Sequence, residues 1–185
     1  MFPDTPGLRQ WWDDANRHDL LHKPTQKYLK VVDGETGKMV AYAKWDLAVD
    51  GRGERFPPWH ADSDQPACEA FFGALDRERI KLMGTRKCYC KLGFSFSLLV
   101  IIPALTALDL DMLGTHPDYR RRGAGSMLVR WGCDLADRDG VVAYVDASPE
   151  GAALYQKFGF EDRSEAKMRE IGVKTVVREP EGGKS

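Results

Sequence analysis

The feature of this sequence that most constrains its fold is an arginine- and glycine-rich loop between an apolar segment and an amphipathic one. The loop runs from His116 to Ser126, and its three successive arginines are followed by Gly123 and Gly125. Glycines let backbone N–H groups approach an anion closely, and the first turn of a helix leaves its N–H groups without intrahelical partners. The helix dipole and the arginine charges favour negative charge at the same place. We therefore expect this loop to bind a pyrophosphate group at the start of a helix.

The residues after the loop predict an alternating α/β unit. Apolar side chains recur there at helical spacing until Gly140 ends the pattern. These side chains are Ala124, Met127, Leu128, Trp131 and Leu135. Val141–Val145 then predicts a buried strand, and Ser148 before Pro149 predicts the capped start of a second helix that ends at Gly159. The ligand of such a unit is expected beyond the carboxyl end of the strand that precedes the loop.

Two segments of this unit resemble motifs of the GNAT superfamily of acetyl-CoA-dependent N-acetyltransferases. Arg120–Gly125 fits the family's Q/R-x-x-G-x-G/A loop, and Leu154–Phe160 fits its L-Y-x-x-x-G-F segment, in the family's order and at its separation. The close resemblance covers Leu110–Phe160, and Ala147–Gly151 is similar to fungal members. The resemblance implies an α/β fold with a mixed, mostly antiparallel central sheet flanked by helices.

The resemblance also implies acetyl-CoA as the cosubstrate and a set of residues that bind it. The pyrophosphate would lie on the backbone amides that follow Arg120, and the pantetheine arm would pair with the exposed backbone of Leu113–Thr115 like an added strand. Ser148 stands where the family often has Asn, so a polar contact to the pantetheine is expected there. The expected cofactor-binding residues are Leu113, Gly114, Thr115, Arg120, Arg121, Arg122, Gly123, Ala124, Gly125, Ser126, Ser148 and Tyr155.

The implied reaction is the direct attack of a neutral amine on the thioester carbonyl. A backbone N–H near Leu113 would stabilise the oxyanion, and Tyr155, at the family's tyrosine position, would protonate the departing thiolate. Tyr155 could instead be only an aromatic residue of the core. Asp109 and Asp111 are the candidate general bases, although alternate positions on a strand could equally face solvent, and waters can relay the proton.

The remaining sequence predicts further elements of one domain that spans residues 1–178. Its predicted elements are a helix at Leu8–Leu21, a hairpin of strands at Tyr28–Val32 and Met39–Leu47, and a helix at Cys68–Met83. Asp50–Gln65 is rich in Gly, Pro and Asp and predicts an exposed loop that could border the substrate site. After Phe160 we expect two final strands and then a disordered tail, Glu179–Ser185.

Two features depart from the GNAT pattern. The GNAT fold begins with a strand and a helix before the region that corresponds to Leu8, so its first strand is expected to be missing. Leu92–Leu108 contains no charged residue and lies where family members pass almost directly into the cofactor strand. Joining Tyr89 or Cys90 to Leu110 would restore the family's spacing. We therefore interpret residues 91–109 as inserted sequence, such as a translated retained intron.

Composition excludes several other classes. A chain of 185 residues with a formal net charge of -1 fits one domain and argues against nucleic acid as a partner. The sequence has no G-x-x-x-x-G-K-[ST], and the third glycine of a dinucleotide fingerprint would fall at Leu128. Cys88-x-Cys90 lacks a second ligand pair, so no metal is expected. The N-terminus does not read as a signal peptide, and Pro103 interrupts the uncharged segment, so we expect a cytoplasmic protein without a membrane partner.

The sequence thus predicts an N-acetyltransferase that acts on a primary amine of a small molecule, as a monomer or homodimer. Two alternatives stay open. One is a catalytically inactive acyl-CoA-binding module, and the other is a protein-interaction or nucleic-acid-binding domain that uses the arginine cluster.

Overall fold

The computed structural model describes residues 1–47, 58–83 and 107–182. The helices are α1 (Pro6–His22), α2 (Gln65–Met83), α3 (Ala124–Asp139), α4 (Pro149–Gln156) and α5 (Ala166–Glu170), with a 3-10 turn at Pro117–Tyr119. The strands are β1 (Gln26–Val32), β2 (Met39–Asp46), β3 (Ala107–Thr115), β4 (Val142–Ala147), β5 (Glu161–Asp162) and β6 (Lys174–Arg178).

The strands form one six-stranded sheet in the order β1-β2-β3-β4-β6-β5. Only β3 and β4 run parallel, and every other neighbouring pair is antiparallel. This arrangement confirms the predicted mixed, mostly antiparallel sheet, and β1 and β2 form the expected hairpin. Its turn is held by the Asp33 carboxylate, which accepts hydrogen bonds from the N–H groups of Glu35 and Thr36.

The two parallel strands separate after a short paired stretch. Residues 107–109 of β3 pair with residues 142–144 of β4, and the pairing ends there. Beyond that point β3 continues to Thr115 along β2, whereas β4 continues to Ala147 along β6. Within the described residues, the edge of β3 that faces β4 is therefore open from residue 110 onward.

Helix α3 packs on the sheet through small residues, which corrects the predicted apolar stripe. Met127 is 62% exposed and Trp131 is 36% exposed. The buried positions are Ala124, Leu128, Val129, Gly132, Cys133 and Ala136. The reason lies in β2, because the fully buried ring of Trp45 fills the interface. A Cβ on Gly132 would fall 2.1 Å from that ring, so only glycine lets the helix lie this close.

The structure also changes several predicted boundaries. Residues 107–109, the end of the predicted insertion, belong to β3, and Leu108 and Asp109 are buried. An inserted segment would therefore have to end before residue 107. Glu181, in the predicted disordered tail, donates its backbone N–H to the Asp137 carboxylate at 2.6 Å. Helix α5 was not predicted, since five residues are too few to show a helical period.

Some predictions fall outside the described residues. These are the loop at 50–57, the pair Cys88 and Cys90, most of the uncharged segment after Lys91, and the last three residues of the tail.

Candidate active site

A cavity of about 550 Å³ lies between the end of β3, the start of α3 and helix α4. It is lined by Thr115, Tyr119, Arg121, Gly123, Ala124, Gly125, Ser126, Ala153, Leu154 and Lys157. Six of these were predicted from the sequence as cofactor-binding residues. The strand, the loop and the next helix therefore meet around one space, as an anion-binding loop requires.

The start of α3 differs from the starts of α1 and α4. Thr5 caps α1 and Ser148 caps α4, each through a side-chain oxygen that accepts a backbone N–H, at 3.2 and 3.1 Å. The N-cap of α3 is Gly123, which has no side chain to do this. The amides of its first turn consequently keep their hydrogen-bonding capacity for a ligand.

The loop before α3 adopts a left-handed backbone at two positions. Gly123 has φ 92°, where glycine carries no steric cost. Arg121 has φ 62° and is the one non-glycine residue with positive φ among the described residues. Such strain costs on the order of 1 kcal/mol and concentrates at functional sites. Here it accompanies a guanidinium that lines the cavity.

The other predicted cofactor residues lie around the cavity without lining it. The guanidinium of Arg122 stacks on the ring of Tyr119, 5.1 Å from its centre, and Arg120 is exposed in the loop. Leu113 and Gly114 lie on the open stretch of β3 that leads to the cavity. Ser148 uses its Oγ to accept the N–H of Gly151, so its hydroxyl hydrogen is left for any contact with a ligand.

Four residues of the lining were not predicted. Ala153, Leu154 and Lys157 belong to α4 or directly follow it, and Tyr119 belongs to the 3-10 turn. Lys157 occupies a variable position of the L-Y-x-x-x-G-F segment, where the motif itself carries no signal. It adds a second cation to Arg121 at the wall of the cavity.

Tyr155 lies in α4 with its ring against Phe160, the ring centres 5.7 Å apart. It is 6% exposed, and burial raises the pKa of its hydroxyl to about 12. The phenol therefore stays protonated at neutral pH and can donate a hydrogen bond. Because the pKa of a thiol is about 8.5, donating a hydrogen bond to the thiolate is easier than transferring the proton completely.

Asp111 occupies a bulge of β3 and is already paired. The register places Lys44 opposite Met112 and Trp45 opposite Leu110, so Asp111 is the extra residue. The Lys44 ammonium contacts the carboxylate of Asp111 at 3.0 Å and that of Asp19 in α1 at 2.7 Å. Burial alone would lower the pKa of Lys44, but the charge of Asp111 and the hydrogen bond to Asp19 outweigh it and raise the pKa.

Asp109 lies on the face of the sheet opposite Tyr155. It is 2% exposed, and its carboxylate accepts a hydrogen bond from Arg79 of α2 at 3.3 Å. Tyr155 packs instead in the cluster that contains Leu108 and Leu110, on the α3 side. Neither candidate base lines this cavity in the part of the chain that the structure describes.

The described residues offer neither a metal site nor a membrane span. No group of three or more His, Cys, Asp or Glu side chains there is placed to hold a metal ion. None of the described helices combines the length and apolar character needed to cross a membrane.

Comparison with known proteins gives a partial family match. Residues 96–162, over a third of the chain, match the family model described as an acetyltransferase (GNAT) domain. The match begins inside the segment predicted to be inserted. A search of curated protein sequences gives no match.

Two solved structures are similar in fold. One is a histone acetyltransferase HPA2 and related acetyltransferase from Corynebacterium glutamicum, at 18% identity and TM-score 0.52, covering 100% of this chain and 81% of that one. The other is a mosquito arylalkylamine N-acetyltransferase-like protein 5b, at 17% identity and TM-score 0.55, covering 90% of this chain and 80% of that one.

The family match over residues 96–162 supports an enzyme of the acyltransferase type, and the fold agrees with it. More particularly, the residues that match the acetyltransferase (GNAT) domain model include β3, the arginine-glycine loop, α3, β4, α4 and β5.

Proposed function

We propose that this protein is an N-acetyltransferase that moves the acetyl group of acetyl-CoA to a primary amine of a small molecule, within a ternary complex. The observation that carries the proposal is the cofactor cavity, where the uncapped start of α3 meets the open edge of β3 and two cationic side chains. An anionic pyrophosphate attached to an extended arm that forms amide hydrogen bonds fits these two features together.

Each predicted residue has a role in this proposal. The amides from Arg121 to Ser126 hold the pyrophosphate, while Arg120 and Arg122 add charge nearby. The open backbone of Leu113, Gly114 and Thr115 pairs with the pantetheine arm, and Ser148 donates its hydroxyl hydrogen to it. An N–H near Leu113 faces the oxyanion that develops as the amine nitrogen attacks.

The leaving thiolate takes its hydrogen bond from Tyr155 in this mechanism. The C–N bond forms as the C–S bond breaks, CoA departs as the thiol, and the amine loses a proton. Asp111 is the better placed of the two candidate bases, since its bulge lies at the open stretch of β3, whereas Asp109 lies in the paired stretch. Ordered water is the alternative acceptor of that proton.

A second candidate function is supported by the pairing of both carboxylates. Asp109 bonds to Arg79 and Asp111 to Lys44, which leaves the amine without a dedicated base unless water serves. The alternative is an acyl-CoA-binding module without turnover.

The net charge of -1 supports a partner other than nucleic acid. A cytoplasmic location, a monomeric or homodimeric state and the similarity to fungal members remain parts of the proposal.

Two measurements on the purified chain test the proposal. Titration calorimetry with acetyl-CoA is expected to give saturable binding that competes with CoA, and thermal stabilisation should rise with ligand concentration. Release of CoA with a panel of primary amines then separates enzyme from binding module. Absence of binding would reject both functions, and binding without turnover on any amine would favour the module.

A further inference from the structure

A second cavity, of about 410 Å³, lies on the opposite face of the sheet, beside α1. It is lined by Asn16, Tyr28, Leu29, Lys30, Met39, Tyr42 and Met112. Its volume lies within the range of small-molecule sites, roughly 300–1,000 Å³. None of these residues was singled out by the sequence, and none lines the cofactor cavity.

One strand connects the two cavities. Met112 lines the second cavity and Thr115 lines the cofactor cavity, three residues further along β3. At about 3.3 Å per residue, they are separated by roughly 10 Å of strand. Between them lies Gly114, against which the Tyr42 ring packs so closely that a Cβ would fall 2.6 Å from it. The second cavity therefore reaches β3, the strand whose opposite edge, facing β4, is open and where we place the thioester.

The walls of the second cavity are mostly apolar. Two tyrosine rings, two methionine side chains and Leu29 are part of the lining, and the Asn16 amide oxygen already accepts a hydrogen bond from the Tyr28 hydroxyl at 3.1 Å. Met39 and Tyr42 are 59% and 41% exposed, so both side chains are accessible to a ligand that enters the cavity.

The charges around the second cavity disfavour a polycation. The nearby carboxylates, Asp19 and Asp111, are both bonded to Lys44, whose ammonium also lies 5.7 Å from the centre of the Tyr28 ring. Lys30 adds another cation at the lining. Lys30 and Lys44 would repel a substrate with several ammonium groups, and both nearby carboxylates are already paired with Lys44. An uncharged ring would instead gain contact with the apolar walls.

We infer that this cavity binds the aromatic or other apolar group of a primary monoamine and directs its amino nitrogen to the open edge of β3. The inference rests on the proposed function and adds the class of acceptor. In the transfer the amine nitrogen bonds to the acetyl carbon, the thioester C–S bond breaks, and CoA leaves as the thiol once the amine proton is released.

The test compares 2-phenylethylamine with spermidine as acceptors for the full chain and two variants. Tyr42→Ala removes one wall at a partly exposed position, and Ile80→Ala is the matched control, since Ile80 is 58% exposed on α2 and lies outside the cavity. We expect kcat/KM for 2-phenylethylamine to exceed that for spermidine at least tenfold. Tyr42→Ala should lower kcat/KM for 2-phenylethylamine at least tenfold by raising KM. Ile80→Ala should leave kcat/KM unchanged, and both variants should keep the acetyl-CoA affinity of the unmodified chain.

A preference for spermidine, or equal kinetics of Tyr42→Ala and the unmodified chain, would overturn the inference. Equilibrium binding of 2-phenylethylamine to the chain saturated with CoA covers the case in which no amine is acetylated. Binding that Tyr42→Ala weakens would support the cavity even though the proposed catalysis had failed. No binding at millimolar amine would overturn the inference while leaving acetyl-CoA binding intact.

Discussion

At the scale of single residues, Gly125 is the lining position of the proposed cofactor cavity that best separates binding from folding. A Cβ there would lie 3.5 Å from Leu154 and 3.6 Å from Thr115, which are ordinary contacts, so a small substitution does not disturb the fold. The extra methyl groups of valine would extend into the space that these residues enclose.

We therefore expect Gly125→Val to weaken acetyl-CoA binding at least tenfold, on the order of 1.4 kcal/mol. Titration calorimetry measures the change. Gly34→Val is the matched control, because Gly34 lies in the β1–β2 turn with no atom within 4 Å of an added Cβ. Equal affinity of the two folded variants would contradict the assignment of the cavity to acetyl-CoA.

Tyr155→Phe distinguishes a catalytic role of Tyr155 from a role in core packing. The substitution keeps the ring that packs on Phe160 and deletes only the hydroxyl, which has no hydrogen-bond partner among the described residues. If the hydroxyl serves the leaving thiolate, kcat should fall roughly tenfold while acetyl-CoA affinity is retained. Steady-state kinetics and calorimetry measure the two quantities. Normal turnover would assign Tyr155 to the core alone.

At the scale of elements, α1 is fastened to the sheet by the ion network of Lys44. The Lys44 side chain is 4% exposed, and its ammonium bridges Asp19 of α1 and Asp111 of β3. Burial opposes the ionisation of Asp19, but hydrogen bonds from Lys23 and Lys44 outweigh it and hold the pKa of Asp19 below its ordinary value. Nothing in the sequence predicted this network, because its three members lie far apart along the chain and meet only through the sheet.

Lys44→Met should therefore destabilise the fold by about 3–5 kcal/mol, since it leaves two buried carboxylates without their shared cation. Urea unfolding monitored by circular dichroism gives the free energy of unfolding. Lys38→Met, at an exposed position of the β1–β2 turn, is the control and should change little. A loss below 1 kcal/mol for Lys44→Met would show that the network contributes little to stability.

Two deletions test where the predicted insertion ends relative to β3. A deletion of residues 91–109 would remove Leu108 and Asp109 together with the whole paired stretch between β3 and β4. We expect that variant to lose cooperative unfolding. A deletion of residues 91–106 spares β3, and under the insertion hypothesis it keeps a sharp thermal transition and acetyl-CoA binding. Loss of both in the shorter deletion would show that the segment belongs to the fold.

At the scale of the whole molecule, the sequence predicted the fold class and the glycine-rich loop at the start of α3 because local signals encode both. Glycines with positive φ at 123, 140 and 159 and the Ser148 cap act over a few residues. It did not predict which face of α3 is buried, because the contact of Gly132 with Trp45 joins distant parts of the chain. The second cavity was missed for the same reason, since three strands and a helix assemble it.

Because some titratable side chains are buried, the free energy of unfolding of the whole molecule should fall at alkaline pH. Cys133 is 4% exposed in α3, and burial raises its pKa from 9.0 to about 11. Burial likewise raises the pKa of Tyr155 from 10.0 to about 12. In both cases the folded state keeps the proton longer than the unfolded state does. The corresponding stability is therefore complete well below the unfolded pKa values and declines as the pH rises through them toward the folded values.

For Cys133 alone, the free energy of unfolding should fall by about 1.4 kcal/mol between pH 8 and pH 10, because the unfolded thiol ionises over that interval and the buried one does not. Urea unfolding at pH 8, 9 and 10, under reducing conditions, measures the slope. Cys133→Ala lowers the free energy of unfolding by a pH-independent amount, because it creates a cavity. Between pH 8 and pH 10, however, the free energy of unfolding of this variant should fall by about 1.4 kcal/mol less than that of the unmodified chain. Parallel curves for the two proteins would mean that the Cys133 thiol ionises in the folded chain as readily as in the unfolded one, and that the interface between α3 and the sheet is open to water.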